Sequence, residues 1–246
     1  MNSIRQIRFC VAFTLLELLL VIAVISVLVG LFLPTYSGPS KAYVFICSSN
    51  LKEVGANFEG WSQQHEGILP MQVAMTNGGS MELIATGSAI AHFRTLTNSG
   101  VKSLQHSSVF AGEGKPFRNL VTTNLGIRKD RLVCPSDKNR RDSIDRKGSI
   151  AEMVDTNLSY FVGLDSSLRN PNSILAGDRH LQVNGRPVGS GLLVLTPNSS
   201  LGWTRELHPT FKKGNILFAD GHVEFAKKPI VAFRGQGLAT NRVAVP

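Results

Sequence analysis

Asp178, His180, His208, Asp220 and His222, in the carboxy-terminal third, carry side chains able to hold a metal or move a proton. An imidazole beside a carboxylate can share a proton or grip a cation, provided the fold brings the two into contact. Their spacing supports no specific chemistry. The chain has no His-x-x-x-His, no Glu-flanked metal motif and no closely spaced cysteine pair, which removes the usual zinc signatures. No nucleophile elbow stands behind a Ser–His–Asp arrangement. His92 and His106 have no spaced partners and read as core or surface residues. No catalytic, cofactor-binding or metal-ligating residue is assigned from these patterns, and an enzyme is not expected. The remaining reactive side chains are Cys10, Cys47 and Cys134, an odd number.

The segments that must position these residues read as strands. Arg131 to Cys134 ends at Pro135, and Ser159 to Gly163, Ser173 to Ala176 and Leu192 to Leu195 are short apolar runs bounded by turn formers. Asn215 to Ala219 and Val223 to Phe225 flank Asp220-Gly221-His222, a tight-hairpin signal in which Gly221 supplies a positive φ. Upstream, Val44, Cys47, Leu51, Val54, Phe58 and Trp61 step by three and four residues. That spacing draws one apolar stripe along an amphipathic helix over about 40–64, with Cys47 facing whatever the stripe packs on. Residues 70–130 are rich in Gly, Ser, Thr and Asn and suggest short helices and loops. The fold class is α+β: a long amino-terminal helix, packed through its amphipathic half on an antiparallel sheet.

The formal charge of +9 invites a search for nucleic-acid contacts. The basic residues are scattered, and the densest run, Lys138 to Arg141, is followed by Asp142 and Asp145. No recognition helix or aromatic-interleaved basic stripe accompanies them, so nucleic acid is not an expected partner.

The apolar residues concentrate in Leu15 to Leu33. Twenty-one residues from Phe13 to Leu33 would extend about 31 Å as a helix, enough to cross a bilayer core. Arg5 and Arg8 precede the block without an acid, which predicts a cytoplasmic amino terminus. The apolar core is too long for a secretory signal peptide, and Ser37 to Ala42 is a poor cleavage site. Glu17 lies inside the block, and a carboxylate in apolar surroundings must be paired or neutralised. A plain anchor does not account for it.

Ala12-Phe13-Thr14-Leu15-Leu16-Glu17 resembles the prepilin processing motif of type IV pilins and type II secretion pseudopilins. The resemblance implies cleavage by prepilin peptidase between Ala12 and Phe13, followed by methylation of the new Phe13 amine. With Phe13 first, Glu17 becomes the fifth residue and Pro34 the twenty-second, where such proteins carry an assembly carboxylate and a helix-bending proline. The family usually has Gly before the cut, where this chain has Ala12. His208 followed by Asp220-Gly221 resembles a carboxy-terminal processing-associated signature of prepilin-type proteins, with a longer spacing here. Asn50 to Gly55 and Cys134 to Asp137 also resemble segments of that group.

On this reading residues 1–12 are a leader, 13–34 a transmembrane and assembly helix, and 35–246 a periplasmic pilin-like domain with its sheet over 131–228. Cleavage discards Cys10 and leaves Cys47 and Cys134, which an oxidising compartment would join and a reducing one would leave as buried thiols. The implied function is a pseudopilin or minor pilin subunit, more readily of a type II secretion system than of a surface pilus. The alternative is a membrane-anchored periplasmic binding protein that never polymerises. The implied partners are prepilin peptidase, other pilin or pseudopilin subunits, an inner-membrane assembly platform and the membrane itself. The implied location is the inner membrane, single-pass, with the carboxy-terminal domain in the periplasm. No cofactor is implied beyond calcium, which some pseudopilins bind through loops near the sheet.

Overall fold

The computed structural model describes residues 14–32, 39–97, 126–141, 150–208, 211–227 and 241–246. Ala12 and Phe13, where cleavage is expected, the proline Pro34 and His106 lie outside them. Contacts divide the chain into two compact units, Met1–Lys41 and Ala42–Pro246.

The first unit contains helix α1, Leu15–Phe32. Its start is a reciprocal cap. The Thr14 N–H and hydroxyl both donate to Glu17 Oε2 at 2.9 Å, and the Glu17 N–H donates back to Thr14 Oγ1 at 3.2 Å. These hydrogen bonds, the backbone one foremost, hold the Glu17 carboxyl below its ordinary pKa. Apart from Ser26, whose hydroxyl donates to Ile22 O at 2.7 Å, the helix is otherwise apolar, and its large side chains from Leu15 to Val29 are exposed.

The expectation of a membrane-spanning segment over 13–34 is corrected here. The described helix has 18 residues, and Glu17 occupies its first turn. The charge-free part from Leu18 to Phe32 extends only about 22 Å against a bilayer core of about 30 Å. Among the described residues no helix is long and apolar enough to cross a membrane. The single-pass inner-membrane placement is therefore not supported.

The second unit is built on helix α2, Pro39–Ser62, which continues from Ala42 with the expected stripe inward. Cys47, Leu51, Val54, Phe58 and Trp61 are all buried in one core cluster. Proline at the first helical position suits a helix start because its missing N–H has no partner there anyway. Short 3₁₀ turns at Pro70–Gln72, Met75–Asn77 and Met81–Thr86 lead into helix α3, Ala89–Thr95. A further 3₁₀ turn covers Lys129–Leu132, and α4 is the single turn Lys138–Arg141. The segment before Pro135 was expected to be a strand. It coils instead, because it must carry Cys134 back toward α2.

Among the described residues nine strands follow: β1 (Tyr160–Gly163), β2 (Ile174–Asp178), β3 (Leu181–Val183), β4 (Arg186–Pro187), β5 (Gly191–Leu195), β6 (Leu201–Trp203), β7 (Gly214–Phe218), β8 (Val223–Ala226) and β9 (Asn241–Val245). Every pairing is antiparallel. The main sheet runs β5-β9-β1-β2-β7-β8, and a small sheet runs β4-β3-β6.

Strand alternation sorts the side chains into two cores. Tyr160, Val162, Leu175, Leu217 and Ala244 join the α2 stripe, whereas Phe161, Ile174, Ile216, Phe218, Val243 and Val245 join Leu181, Leu201 and Trp203 of the small sheet. The result is three layers, helix, large sheet and small sheet, and it explains why β1, β2 and β7 are buried at every position. The α2 layer sits close to β7. A β-carbon at Gly55 would meet Leu217 Cδ1 at 3.1 Å, so glycine lets the helix approach the strand.

The β7–β8 turn has Gly221 at φ 85°, as expected, while Asp220 keeps a negative φ. Gly221 N–H donates to Phe218 O at 3.0 Å, so the turn is of type I with a left-handed glycine after it rather than a two-residue mirror turn. The two-residue form occurs instead at Asn184-Gly185, where φ is 53° and 79° and β3 passes directly into β4.

Candidate functional site

Cys47 and Cys134 form a disulfide with Cα atoms 5.0 Å apart across a sequence separation of 87. In the loop-entropy account such a link contributes about 4 kcal/mol. Its surroundings are polar for a core. One turn along α2, Asn50 donates to Val133 O at 3.1 Å and accepts from Arg131 Nη1 at 3.2 Å. Arg131 Nε reaches Glu53 Oε2 at 3.0 Å. Tyr160 on β1 donates its hydroxyl to Cys47 O at 3.4 Å. Burial, then the charge of Asp178, pushes that phenol well above its ordinary pKa.

Cys134 also opens a turn, since the Asp137 N–H donates to Cys134 O at 2.9 Å with Pro135 at the second position. The turn aims Asp137 inward. Its carboxylate accepts from Arg179 Nε at 2.8 Å, Arg179 Nη2 at 3.1 Å and Ser159 Oγ at 3.0 Å. A fork-shaped guanidinium on a carboxylate is the strongest form of such a pair.

Asp178 ends β2 and is fully buried. Its Oδ2 accepts from the Asn215 backbone N–H at 2.7 Å and from Asn215 Nδ2 at 2.9 Å, and lies 3.2 Å from His208 Nε2. His208 is buried too, and its ring meets Phe225 of β8 edge-on at 5.8 Å. The His208 Nε2, Asp178 Oδ1 and Asn215 Oδ1 atoms are buried without a hydrogen-bond partner. One ring nitrogen of His208 and the two sulfurs lie within 4.8 Å of one another. As a disulfide, those sulfurs have no thiolate to offer a metal. The donor set is sulfur and nitrogen, whereas calcium takes oxygens.

Asp178, His180, His208, Asp220 and His222 therefore separate into three places. Asp178 and His208 meet beside the disulfide. His180 stands apart, 2.8 Å from Glu206 and 4.0 Å from Asp137, with its pKa lowered by burial and then by Arg179. Asp220 and His222 pair with each other in the exposed hairpin turn, where the His222 ring also stacks on Phe218 at 4.3 Å. His92 occupies a fourth environment. It is buried, contacts Ser80 Oγ at 2.8 Å, and desolvation lowers its pKa to about 4.

The segments 50–55, 134–137 and His208, singled out by resemblance, converge on one buried polar seam around the disulfide. Asn215, Tyr160, Ser159 and Arg179 complete it and were not anticipated. Asn215 carried a signal, because a polar residue inside an otherwise apolar strand must find a partner when buried. Comparison with protein-family models, curated proteins and solved structures gives no match. The seam is thus read from its own chemistry. Buried at Asn50, Asp137, Tyr160, Asp178, His208 and Asn215, open to solvent at Arg131 and Glu53, and linked by a covalent bond, it is suited to holding segments in register.

Proposed function

We propose that the chain is a pilin-like assembly subunit, of the pseudopilin or minor-pilin kind, in a type II secretion or type IV pilus-like machine. In this reading prepilin peptidase cuts before Phe13, the new amine is methylated, and α1 docks against the corresponding helices of other subunits. The observation that carries it is the state of α1. Its large apolar side chains are exposed from Leu15 at 80 % to Val29 at 51 %, and between them Glu17 and Ser26 alone are polar. An apolar surface of this extent needs a partner. A bundle of like helices covers it on all faces, as a single globular partner would not.

Glu17 supplies the directional element. Within one chain its carboxylate is occupied by Thr14. After cleavage, the Phe13 amine of a neighbouring subunit can take its place and set the axial register, as one polar residue does in an apolar helix seam. The second unit adds support of a coarser kind: a helix with one buried stripe lying on an antiparallel sheet matches the α+β arrangement that the resemblance implies.

The test has two arms. Mass spectrometry of the natural amino terminus should find methylated Phe13, and an intact Met1 end overturns the processing step. An Ile25→Cys chain should form intermolecular disulfides under assembling conditions, and adding Glu17→Ala should remove them. A chain that stays monomeric in that assay is a single-copy binding protein rather than an assembly subunit.

A further inference from the structure

We infer that the Cys47–Cys134 disulfide is one of two states of the seam, and that its reduced form, with His208, is a site for a thiophilic divalent cation, of which zinc is the natural candidate. The inference does not rest on the pilin-like reading.

Three observations meet at one place. The sulfurs of Cys47 and Cys134 and a ring nitrogen of His208 lie within 4.8 Å of one another, and all three residues are buried. In a tetrahedral zinc site with metal–sulfur and metal–nitrogen bonds of ordinary length, ligand atoms stand about 3.6–3.8 Å apart. Once the bond between the sulfurs is broken, the three groups are therefore near the right spacing. Second, His208 Nε2 is buried without a hydrogen-bond partner, although Asp178 Oδ2 is 3.2 Å away. A carboxylate on one ring nitrogen steadies an imidazole that ligates through the other and raises its basicity, so with Nε2 facing Asp178 it is Nδ1 that would take the metal. Third, the ligands come from three separate segments: α2, the turn that Cys134 opens, and the segment before β7. A metal would cross-link all three, whereas the disulfide joins two.

The chemistry balances simply. A dithiol reductant passes two electrons and two protons to the disulfide, giving two thiols, and is itself oxidised to a disulfide. The cation then displaces one proton from each thiol, and neutral His208 supplies a lone pair. The chain thereby keeps a cross-link at this point in both oxidising and reducing surroundings.

Cobalt(II) is a spectroscopic probe for such a site. The full chain, reduced with a phosphine that leaves as the oxide and separated without air, is titrated with cobalt(II). One equivalent should produce a thiolate-to-cobalt charge-transfer band that zinc then bleaches, and the oxidised chain should show none. Zinc should raise the melting temperature of the reduced chain and leave the oxidised chain unchanged. Asp178→Asn should weaken cobalt binding about 10–100-fold, and His208→Gln should weaken it further.

Absence of the band in the reduced natural chain overturns the proposal. So does a band that appears only with loss of the native circular dichroism, because that is an unfolded cysteine pair capturing metal. Unchanged affinity in a folded His208→Gln chain overturns it as well. The comparison of reduced and oxidised natural chains decides the matter even where a variant fails to fold.

Discussion

Two Asp–His pairs sit at opposite ends of the same strand, β7, and show how little residue type alone determines. Asp178 and His208 lie at the end where Asn215 enters the strand, with side chains 0 % and 1 % exposed. Asp220 and His222 lie in the turn that leaves it, 40 % and 49 % exposed. In the turn, water competes for every charge and the pair mainly shapes the loop, as the His222 N–H donating to Asp220 Oδ1 at 3.0 Å shows. Between the layers no water competes. Each polar atom there must be satisfied by the protein or left at a cost.

That difference can be broken most sharply at Asp178. Asp178→Ala removes the acceptor for both Asn215 donors and the partner of His208, and should lower the unfolding free energy by about 3–5 kcal/mol in denaturant titration. A loss under about 1 kcal/mol would place the buried pair in the same class as the exposed one.

The pH dependence gives the next effect, through His92. This third histidine is buried against a serine hydroxyl instead of a carboxylate, and its folded pKa of about 4 lies below the unfolded value of 6.5. The unfolded chain thus takes up a proton first as pH falls. The contribution is full above pH 6.5, is lost between there and about pH 4, and amounts to roughly 3 kcal/mol. His92→Gln should flatten the stability–pH curve in that window, measured by thermal unfolding in matched buffers. A curve of unchanged slope would show that His92 is hydrated in the folded chain.

The smallest effect belongs to the turn. His222→Ala should change stability by no more than about 0.5 kcal/mol at neutral pH. A larger loss would mean that the stacking of His222 on Phe218 contributes more than solvent exposure allows.

Much of the fold was legible before any coordinates. The stripe from Val44 to Trp61 follows from helical periodicity, a local property, and each of its members is buried. The strands around Tyr160, Ile174, Leu192, Ile216 and Val223 were legible because short apolar runs between turn formers have few alternatives. Strand β9 was not, since Val243-Ala244-Val245 is brief and earns its place only by pairing with β1 and β5. The small sheet was hidden for the same reason. Its β3–β4 turn carries the Asn-Gly signal, but the flanking strands are too short to stand out. The membrane expectation failed on length. Hydropathy counted the apolar block as one piece, while the capping of Thr14 by Glu17 assigns that acid to the helix itself and shortens its charge-free part.

The candidate site divides in the same way. Its residues could be named from the sequence, because Asp178 and His208 carry titratable groups and Cys47 and Cys134 can pair or bind metal. Which of them meet could not. His208 and Cys134 are brought together only when α2 and the large sheet close on each other, and sequence spacing holds no record of that contact. The amino-acid sequence by itself determined the periodic helix, the principal strands and the α+β class, since these depend on neighbours within a few residues. The tertiary structure alone decided that two of five candidate side chains join a disulfide in a buried seam while two others face water. Burial and contact between distant segments are properties of the packed chain.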